Sequence, residues 1–164
     1  MVITREEYLN KLIWDFNKPK SEQTANPTKY PQGHFKKKKC KCCKKEFSPK
    51  APSELYCSDF CKAYGITEAY YRRTYGISLE EYLDMAEQQD FVCAICGKPN
   101  FPMKSIHSGC LVVDHNHKTN KVRGLLCHNC NRALGLLQDN TETLESAINY
   151  LKSVTTIPKG STIK

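Results

Sequence analysis

The sequence has no long apolar run and only a modest share of hydrophobic residues. No stretch approaches the roughly 18 apolar residues that a membrane-spanning helix requires, and the first residues lack the apolar segment of a secretory signal peptide. Hydrophobic residues make up 40% of the 164 residues, which suits one ordinary domain or two small ones stabilised by metal. We therefore expect a cytoplasmic protein without a membrane partner.

Cysteine, by contrast, is abundant, with ten in the chain. Without a secretory signal, so many thiols indicate metal ligands in a reducing compartment rather than disulfides. Two groups of four have short internal spacings: Cys40, Cys43, Cys57 and Cys61, and Cys93, Cys96, Cys127 and Cys130. Each group is predicted to hold one structural zinc ion. Cys42 could replace Cys43 as a ligand, and Cys110 is interpreted as a small apolar residue at the start of a strand.

The charge balance is basic. Lysine and arginine number 25 against 17 acidic residues, which gives a net charge of +8 and a pI near 8.9. A polyanionic partner such as DNA fits this balance. A soluble protein that is merely basic explains the charge equally well, so composition alone does not select between the two.

Composition and spacing divide the chain into four segments. The first carries apolar residues at helical spacing, is ended by Pro19 and continues into a polar stretch with a run of lysines. The predicted segments are 1–39 for an N-terminal helix and basic linker, 40–65 for a zinc finger, 66–155 for a second zinc-containing domain and 156–164 for a flexible tail.

Two helices are predicted between the cysteine groups. Gly65 is interpreted as the end of a short helix, and Thr67 as the N-cap of the next one. Gly76 is expected to end that helix. Ser78 and Glu81 have the spacing of a capping box, so a further helix is predicted to begin there.

The second half of the chain predicts a β-hairpin followed by two helices. Strands are expected at 111–115 and 121–126, joined by a polar turn. One helix should begin near Asn131, and a last helix, N-capped near Thr141, should pack its apolar face against the rest. That face comprises Leu144, Ile148 and Leu151. The expected fold is a small zinc-stabilised α+β protein.

Asp114, His115 and Asn131 are the candidate catalytic residues. The second zinc would clamp the hairpin to the start of a helix, forming a ββα unit, and four cysteinates leave it no open position. Asp114 and His115 end the first strand, where both side chains reach one site only if the strand twists into the turn. Asn131 directly follows the last cysteine, near a helix N-terminus that favours phosphate.

This combination predicts hydrolysis of a phosphodiester. Asp114 and Asn131 offer the oxygen ligands that Mg²⁺ or Mn²⁺ prefers, to polarise the phosphate and stabilise the leaving 3′-oxyanion. His115, neutral at physiological pH, is the predicted general base, and the products would carry 5′-phosphate ends. A solvated Asp-His turn and an asparagine cap are the alternative interpretation. His117 could contact phosphate, support the metal or lie on the surface, and His128 is interpreted as exposed.

The motifs at 93–97 (CAICG), 113–117 (VDHNH) and 123–131 (RGLLCHNCN) resemble the recombination endonuclease VII family of phages. That family belongs to the ββα-metal, or HNH-like, nucleases. The resemblance covers about residues 66–152, so 66–155 is interpreted as the nuclease domain. It implies structural zinc at the second cysteine group, Asp114 and Asn131 as ligands of the catalytic metal, and His115 as general base. It also implies resolution of branched DNA such as Holliday junctions, or nicking of DNA.

The first cysteine group contains no carboxylate–histidine pair, so it is interpreted as a recognition or structural finger. Lysines surround it and predict phosphate contacts, although a charge run is often just a solvated face. The predicted DNA-contacting residues are Lys36, Lys37, Lys38, Lys39, Lys44 and Lys45, with Arg72, Arg73, Lys121, Arg123 and Arg132 as weaker candidates.

Three functions are therefore compared. The leading hypothesis is a metal-dependent endonuclease that acts on branched DNA, in the host cell cytoplasm if the chain is phage-encoded. A nicking or homing-type nuclease of duplex DNA is the alternative within the same class. A non-catalytic zinc-finger DNA-binding protein is the alternative from another class, and it would need the cysteines but not Asp114, His115 and Asn131. A homodimer is compatible with each.

Overall fold

A computed structural model describes residues 3–16, 30–31, 33–99 and 110–153. It confirms the α+β class, with helices flanking two separate antiparallel hairpins. The elements, in chain order, are α1 (Arg5–Phe16), β1 (Lys38–Lys39), β2 (Glu46–Phe47), α2 (Asp59–Tyr75), α3 (Leu79–Gln88), β3 (Val112–His115), β4 (Val122–Leu126), α4 (His128–Leu136) and α5 (Thr141–Ser153). No helix in these ranges is long and apolar enough to cross a membrane. The predicted tail and the helix end at Pro19 lie outside the described residues.

Helix α2 is continuous, which corrects the prediction of a break near Gly65. A Cβ built on Gly65 would lie 2.5 Å from Cε1 of Tyr56, so glycine is needed here for close packing and not to end a helix. Thr67 is buried within α2, and its hydroxyl donates to the carbonyl of Ala63 over 2.9 Å. Because that hydroxyl bonds back along the same helix, Thr67 does not cap a new one.

The junction between α2 and α3 follows the prediction. Gly76 has a left-handed backbone (φ 72°), and its N–H donates to the carbonyl of Arg72 over 3.1 Å. Ser78 Oγ accepts from the N–H of Glu81, and the Glu81 carboxylate accepts from the N–H of Ser78. This reciprocal capping box fixes where α3 begins.

A buried pair of tyrosines joins α1 and α3 to the start of β3. The Tyr82 hydroxyl donates to the carbonyl of Leu111 over 2.7 Å, and the Leu111 N–H donates to the Tyr8 hydroxyl over 2.8 Å. The two hydroxyls lie 3.0 Å apart, and Tyr82 is fully buried. Each polar group therefore has a partner inside the core, and the hairpin is held in place by two helices.

Gln89 ties the end of α3 to β4. Its Nε2 donates to the carbonyl of Leu125 over 2.8 Å, and its Oε1 accepts from the N–H of Leu125 over 2.9 Å. One side-chain amide thus satisfies both backbone groups of a strand residue, as a neighbouring strand would. The same Nε2 also donates to the carbonyl of Val92.

The apolar face of α5 is not packed as predicted. Ile148 is 50% exposed and Leu151 is 73% exposed, and α5 contains no buried residue. Leu144 alone of the three is half-buried, where it shares a groove with Leu126 and Leu134. Helical spacing correctly predicted an amphipathic helix, but the described part of the chain places no element over its far end.

We predict that Tyr82→Phe lowers the free energy of unfolding by about 1–3 kcal/mol, because it leaves the Leu111 carbonyl without a donor in the core. Urea denaturation followed by circular dichroism measures this loss. Tyr150→Phe is the matched control, since Tyr150 is 70% exposed, and it should leave the transition unchanged. Equal stability of the Tyr82 variant and the wild type would contradict the role of this hydroxyl.

Candidate active site

The second cysteine group converges on one point. The sulfurs of Cys93, Cys96, Cys127 and Cys130 lie within 4.8 Å of one another, and Cys96 Sγ lies 3.8 Å from Cys127 Sγ. Zinc–sulfur bonds of about 2.3 Å at tetrahedral angles place sulfurs roughly 3.8 Å apart. This group therefore has the geometry of a four-thiolate metal site.

Local backbone groups favour the thiolate form of Cys93, which is the form that binds a metal. Burial raises the pKa of Cys93, but N–H groups of Cys127, Cys96 and Ile95 outweigh it and lower that pKa to about 6. Gly97 follows the pair with a left-handed backbone (φ 64°), and its N–H donates to the carbonyl of Cys93 over 2.9 Å. This tight turn directs the N–H groups of Ile95 and Cys96 toward the sulfur of Cys93.

The start of α4 is built on a cysteine. Cys127 is the N-cap, and its sulfur accepts from the N–H of Cys130 over 3.4 Å. The N–H of Asn131 donates to the carbonyl of Cys127 over 3.0 Å, which places Asn131 in the first turn. Because Cys127 caps α4 and also belongs to the cysteine group, that group fixes the position of Asn131 relative to the hairpin.

A β-bulge separates Asp114 from His115. Asp114 pairs with Gly124 and His115 pairs with Val122, so Arg123 is the extra residue on β4. Adjacent strand residues normally face opposite ways, and a bulge changes the direction of the side chains locally. It supplies the local twist that the sequence prediction required for the two residues to share a site.

One cavity of about 270 Å³ brings the three candidate catalytic residues together. Its lining includes Asp114, His115 and Asn131, together with His117 and His128, which the sequence analysis left open or interpreted as exposed. The rings of His115 and His117 lie 4.8 Å apart between centroids. Asp114 is buried, whereas His115 and Asn131 are half-buried. A carboxylate, an amide and three imidazoles therefore face one solvent-accessible space.

Arg123 pairs with Asp114, while 35% of its side chain stays exposed to solvent. Its Nε donates to Asp114 Oδ2 over 2.6 Å, its Nη2 donates to Oδ1 over 2.9 Å, and the same Nη2 lies 3.2 Å from Asp139 Oδ2. These bonds to Asp114, followed by those to Asp139, raise the pKa of Arg123 above its usual range. The bulge thus turns Arg123 toward the neighbouring carboxylate, and its predicted DNA contact stays a prediction.

The first cysteine group has the same geometry, between the turn of the β1–β2 hairpin and the start of α2. Cys40, Cys43, Cys57 and Cys61 place their sulfurs within 4.8 Å of one another, and Cys42 does not belong to the group. Cys43 Sγ and Cys57 Sγ lie 3.5 Å apart. Lys44 (φ 63°) occupies the left-handed position that Gly97 has in the second group. The two modules therefore share one turn geometry.

The predicted DNA-contacting residues fall into two sets. Some already bind the protein: Lys38 donates to the carbonyl of Pro52, Lys44 to that of Lys41, and Arg72 pairs with Glu68. The others are exposed, namely Lys36, Lys37, Lys39, Lys45, Arg73, Lys121 and Arg132. The first set would have to break a bond within the protein to contact a phosphate, whereas the structure shows no such bond for the described side chains of the second set.

Sequence analysis missed Tyr75 and Asp139. Tyr75 ends α2 and lines the cavity, with its ring centroid 5.9 Å from that of His115. Burial, followed by the neighbouring Tyr70, raises the pKa of Tyr75 to about 12, so it remains a hydrogen-bond donor at neutral pH. No local pattern assigns a role in the site to either residue, and only the folded chain brings them there.

Residues 68–153 match the family model for recombination endonuclease VII. The match covers the hairpin, both cysteine pairs of the second group and α4. The chain belongs to the recombination endonuclease VII family.

Two curated relatives each match about half of the chain. The Gene 59 protein of Mycobacterium phage D29 is 48% identical over 80 residues, which are 48% of this chain and 46% of that protein. The Gene 59 protein of Mycobacterium phage L5 is 46% identical over 79 residues, which are 48% of this chain and 45% of that protein. The matched region spans about half the length of these relatives.

A solved structure, the ββα-Me type II restriction endonuclease Hpy99I, was also found. It is 23% identical and covers 75% of this chain and 69% of its own, with a TM-score of 0.33. A TM-score this low does not establish a shared fold.

We predict two tightly bound metal ions per chain, one in each cysteine group. Cys43→Ser and Cys96→Ser should each remove one ion, because a hydroxyl is a poor substitute for a thiolate ligand. Cys42→Ser is the matched control and should keep both. Elemental analysis after dialysis against a weak chelator counts the ions. Loss of an ion in the Cys42 variant would show that the first group is assigned wrongly.

Proposed function

We propose that the chain is a metal-dependent DNA endonuclease that hydrolyses phosphodiester bonds. The observation that carries this proposal is the convergence of Asp114, His115 and Asn131 on one cavity beside a four-cysteine group. A zinc finger with a purely structural role would not require Asp114, His115 and Asn131 in one cavity. The family adds support, because its description is that of an endonuclease.

The residues present fit the metals that this function requires. Four thiols at tetrahedral separations suit zinc in each cysteine group. Asp114 and Asn131 supply two oxygen ligands in a polar cavity, and Mg²⁺ or Mn²⁺ needs no more from the protein because it keeps waters and takes phosphate oxygens. When bound, such an ion polarises the phosphate and stabilises the leaving oxygen.

The protein's own groups account for the other parts of the reaction. His115 accepts the proton of the attacking water, and the adjacent ring of His117 restricts where that water can lie. Tyr75 keeps its hydroxyl proton and is available to donate to a phosphate oxygen. The N-terminal end of α4, where Asn131 lies, adds a favourable field for negative charge.

DNA is the proposed partner, held in part by exposed lysines in and just before the zinc finger, namely Lys36, Lys37, Lys39 and Lys45. The family's name supports a substrate produced during recombination, such as a branched DNA. The phage origin of both curated relatives supports action in the cytoplasm of a host cell. A homodimer is part of the proposal, because α5 leaves Ile148 and Leu151 exposed to a second copy.

We predict that His115→Ala slows cleavage by about 10²–10⁴-fold, the usual contribution of a general base. Supercoiled plasmid, linear duplex and four-way junction are incubated with Mg²⁺, and the products are checked for 5′-phosphate ends. DNA affinity and metal content should stay near wild type. His34→Ala, a change of an exposed histidine that precedes the zinc finger, should cleave normally.

The outcomes separate the candidate functions. Cleavage confined to junctions would assign branched DNA, whereas nicked duplex would assign the alternative substrate. A wild-type protein that binds all three substrates and cuts none, with either metal, would establish the binding-only function.

We also predict that the exposed lysines just before the zinc finger determine the salt dependence of DNA binding. Replacing Lys36, Lys37 and Lys39 with glutamine should reduce the slope of log affinity against log salt by about 0.9 for each phosphate that the variant no longer neutralises. Lys11→Gln, on the exposed side of α1, is the control and should leave the slope unchanged. Fluorescence anisotropy with Ca²⁺ measures binding without turnover, and an unchanged slope in the triple variant would exclude this surface.

A further inference from the structure

We propose that Arg123 is a positioning residue for Asp114, and that Asp139 holds Arg123 in place. The inference rests on the proposed function, because it concerns the orientation of a carboxylate that is proposed to ligate the catalytic ion. It assigns Arg123 a role inside the protein in place of the DNA contact predicted from the sequence.

The hydrogen bonds between Arg123 and Asp114 fix the plane of the carboxylate. Nε donates to Oδ2 over 2.6 Å and Nη2 donates to Oδ1 over 2.9 Å, so the two planar groups meet through two parallel bonds. Each carboxylate oxygen accepts at two positions, and the guanidinium uses one on each. The carboxylate is therefore oriented and still able to bind a cation.

The guanidinium reaches Asp114 from outside the site cavity. Asp114 lines that cavity with His115 and Asn131, and Arg123 is not among the described residues that line it. Arg123 lines two neighbouring grooves instead, both shared with Asp139. A cation in the cavity and the guanidinium would thus approach different sides of one carboxylate.

Asp139 offsets the positive charge that Arg123 brings to the site. Its Oδ2 lies 3.2 Å from Nη2, and together the three side chains carry one net negative charge, the same as Asp114 alone. Arginine can therefore orient the ligand without reducing the net attraction for a cation. The backbone N–H of Asp139 donates to the carbonyl of Leu134, which fixes this carboxylate at the end of α4.

The test separates orientation from charge. Arg123→Lys keeps the charge but loses the planar pair of donors, and the double variant R123Q/D139N keeps the net charge of the three groups but removes the orienting bonds. Binding of Mn²⁺ to the zinc-loaded, DNA-free protein is measured by the electron paramagnetic resonance signal of free Mn²⁺. We expect both variants to bind Mn²⁺ about 10–100-fold more weakly, the usual effect of removing a hydrogen-bond partner from a metal ligand.

DNA binding and rescue distinguish this role from a merely structural one. In Ca²⁺, both variants should bind DNA as the wild type does, with the same salt dependence. Raising the Mg²⁺ concentration should restore cleavage by Arg123→Lys. Arg132→Gln is the comparison variant: it should weaken DNA binding and leave Mn²⁺ binding unchanged.

Two results would overturn the inference. Wild-type Mn²⁺ affinity in both variants would do so, and so would tighter binding in the double variant, because Arg123 would then be a competitor of the metal. Zinc content and thermal unfolding show whether each variant has folded. If the double variant has not folded, the Mn²⁺ affinity of Arg123→Lys alone tests the inference. A wild-type protein that binds Mn²⁺ but cuts no DNA would disprove the proposed function and leave the Arg123 measurement valid.

Discussion

The candidate site depends on one contact between distant parts of the chain. The sulfurs of Cys93 and Cys96, in a turn, converge with those of Cys127 and Cys130 at the start of α4. The β3–β4 hairpin has only two short strands, and a hairpin of this size is marginal by itself in water. Helix α4 has nine residues and none of them is buried. A zinc ion shared between these elements would contribute on the order of 10 kcal/mol, which is comparable to the whole stability of a small domain.

The helices fix the other side of the hairpin by hydrogen bonds in the core. Tyr8 and Tyr82 hold Leu111 just before β3, and Gln89 holds Leu125 in β4. The hairpin is thus fixed at both strands, while its turn and the bulge remain at the surface. Under the proposed function, rigid support combined with an exposed turn allows the site to admit a strand of nucleic acid without losing its geometry.

Features that depend on local chemistry could be predicted from the sequence. The pairs within each cysteine group, the Ser78 capping box and the hairpin turn depend on residues a few positions apart, and the twist at Asp114 followed from the need to bring two adjacent side chains together. Two predictions failed because the deciding contact leaves no mark in the local pattern of residues: Gly65 packs against Tyr56, and the far end of α5 has no described element against it. For the same reason the sequence did not predict the bonds from Arg123 to Asp114 across the hairpin.

The continuous α2 gives the protein a spacer of fixed length. Cys61 of the first cysteine group lies near one end of its 17 residues and Tyr75 of the cavity lies at the other. At about 1.5 Å per residue, the distance from Cys61 to Tyr75 along the helix is roughly 21 Å. B-DNA advances about 3.4 Å per base pair, so under the proposed function this span corresponds to roughly six base pairs. A helix interrupted at Gly65 would allow the first cysteine group to move relative to the cavity, whereas the continuous helix fixes the distance between them.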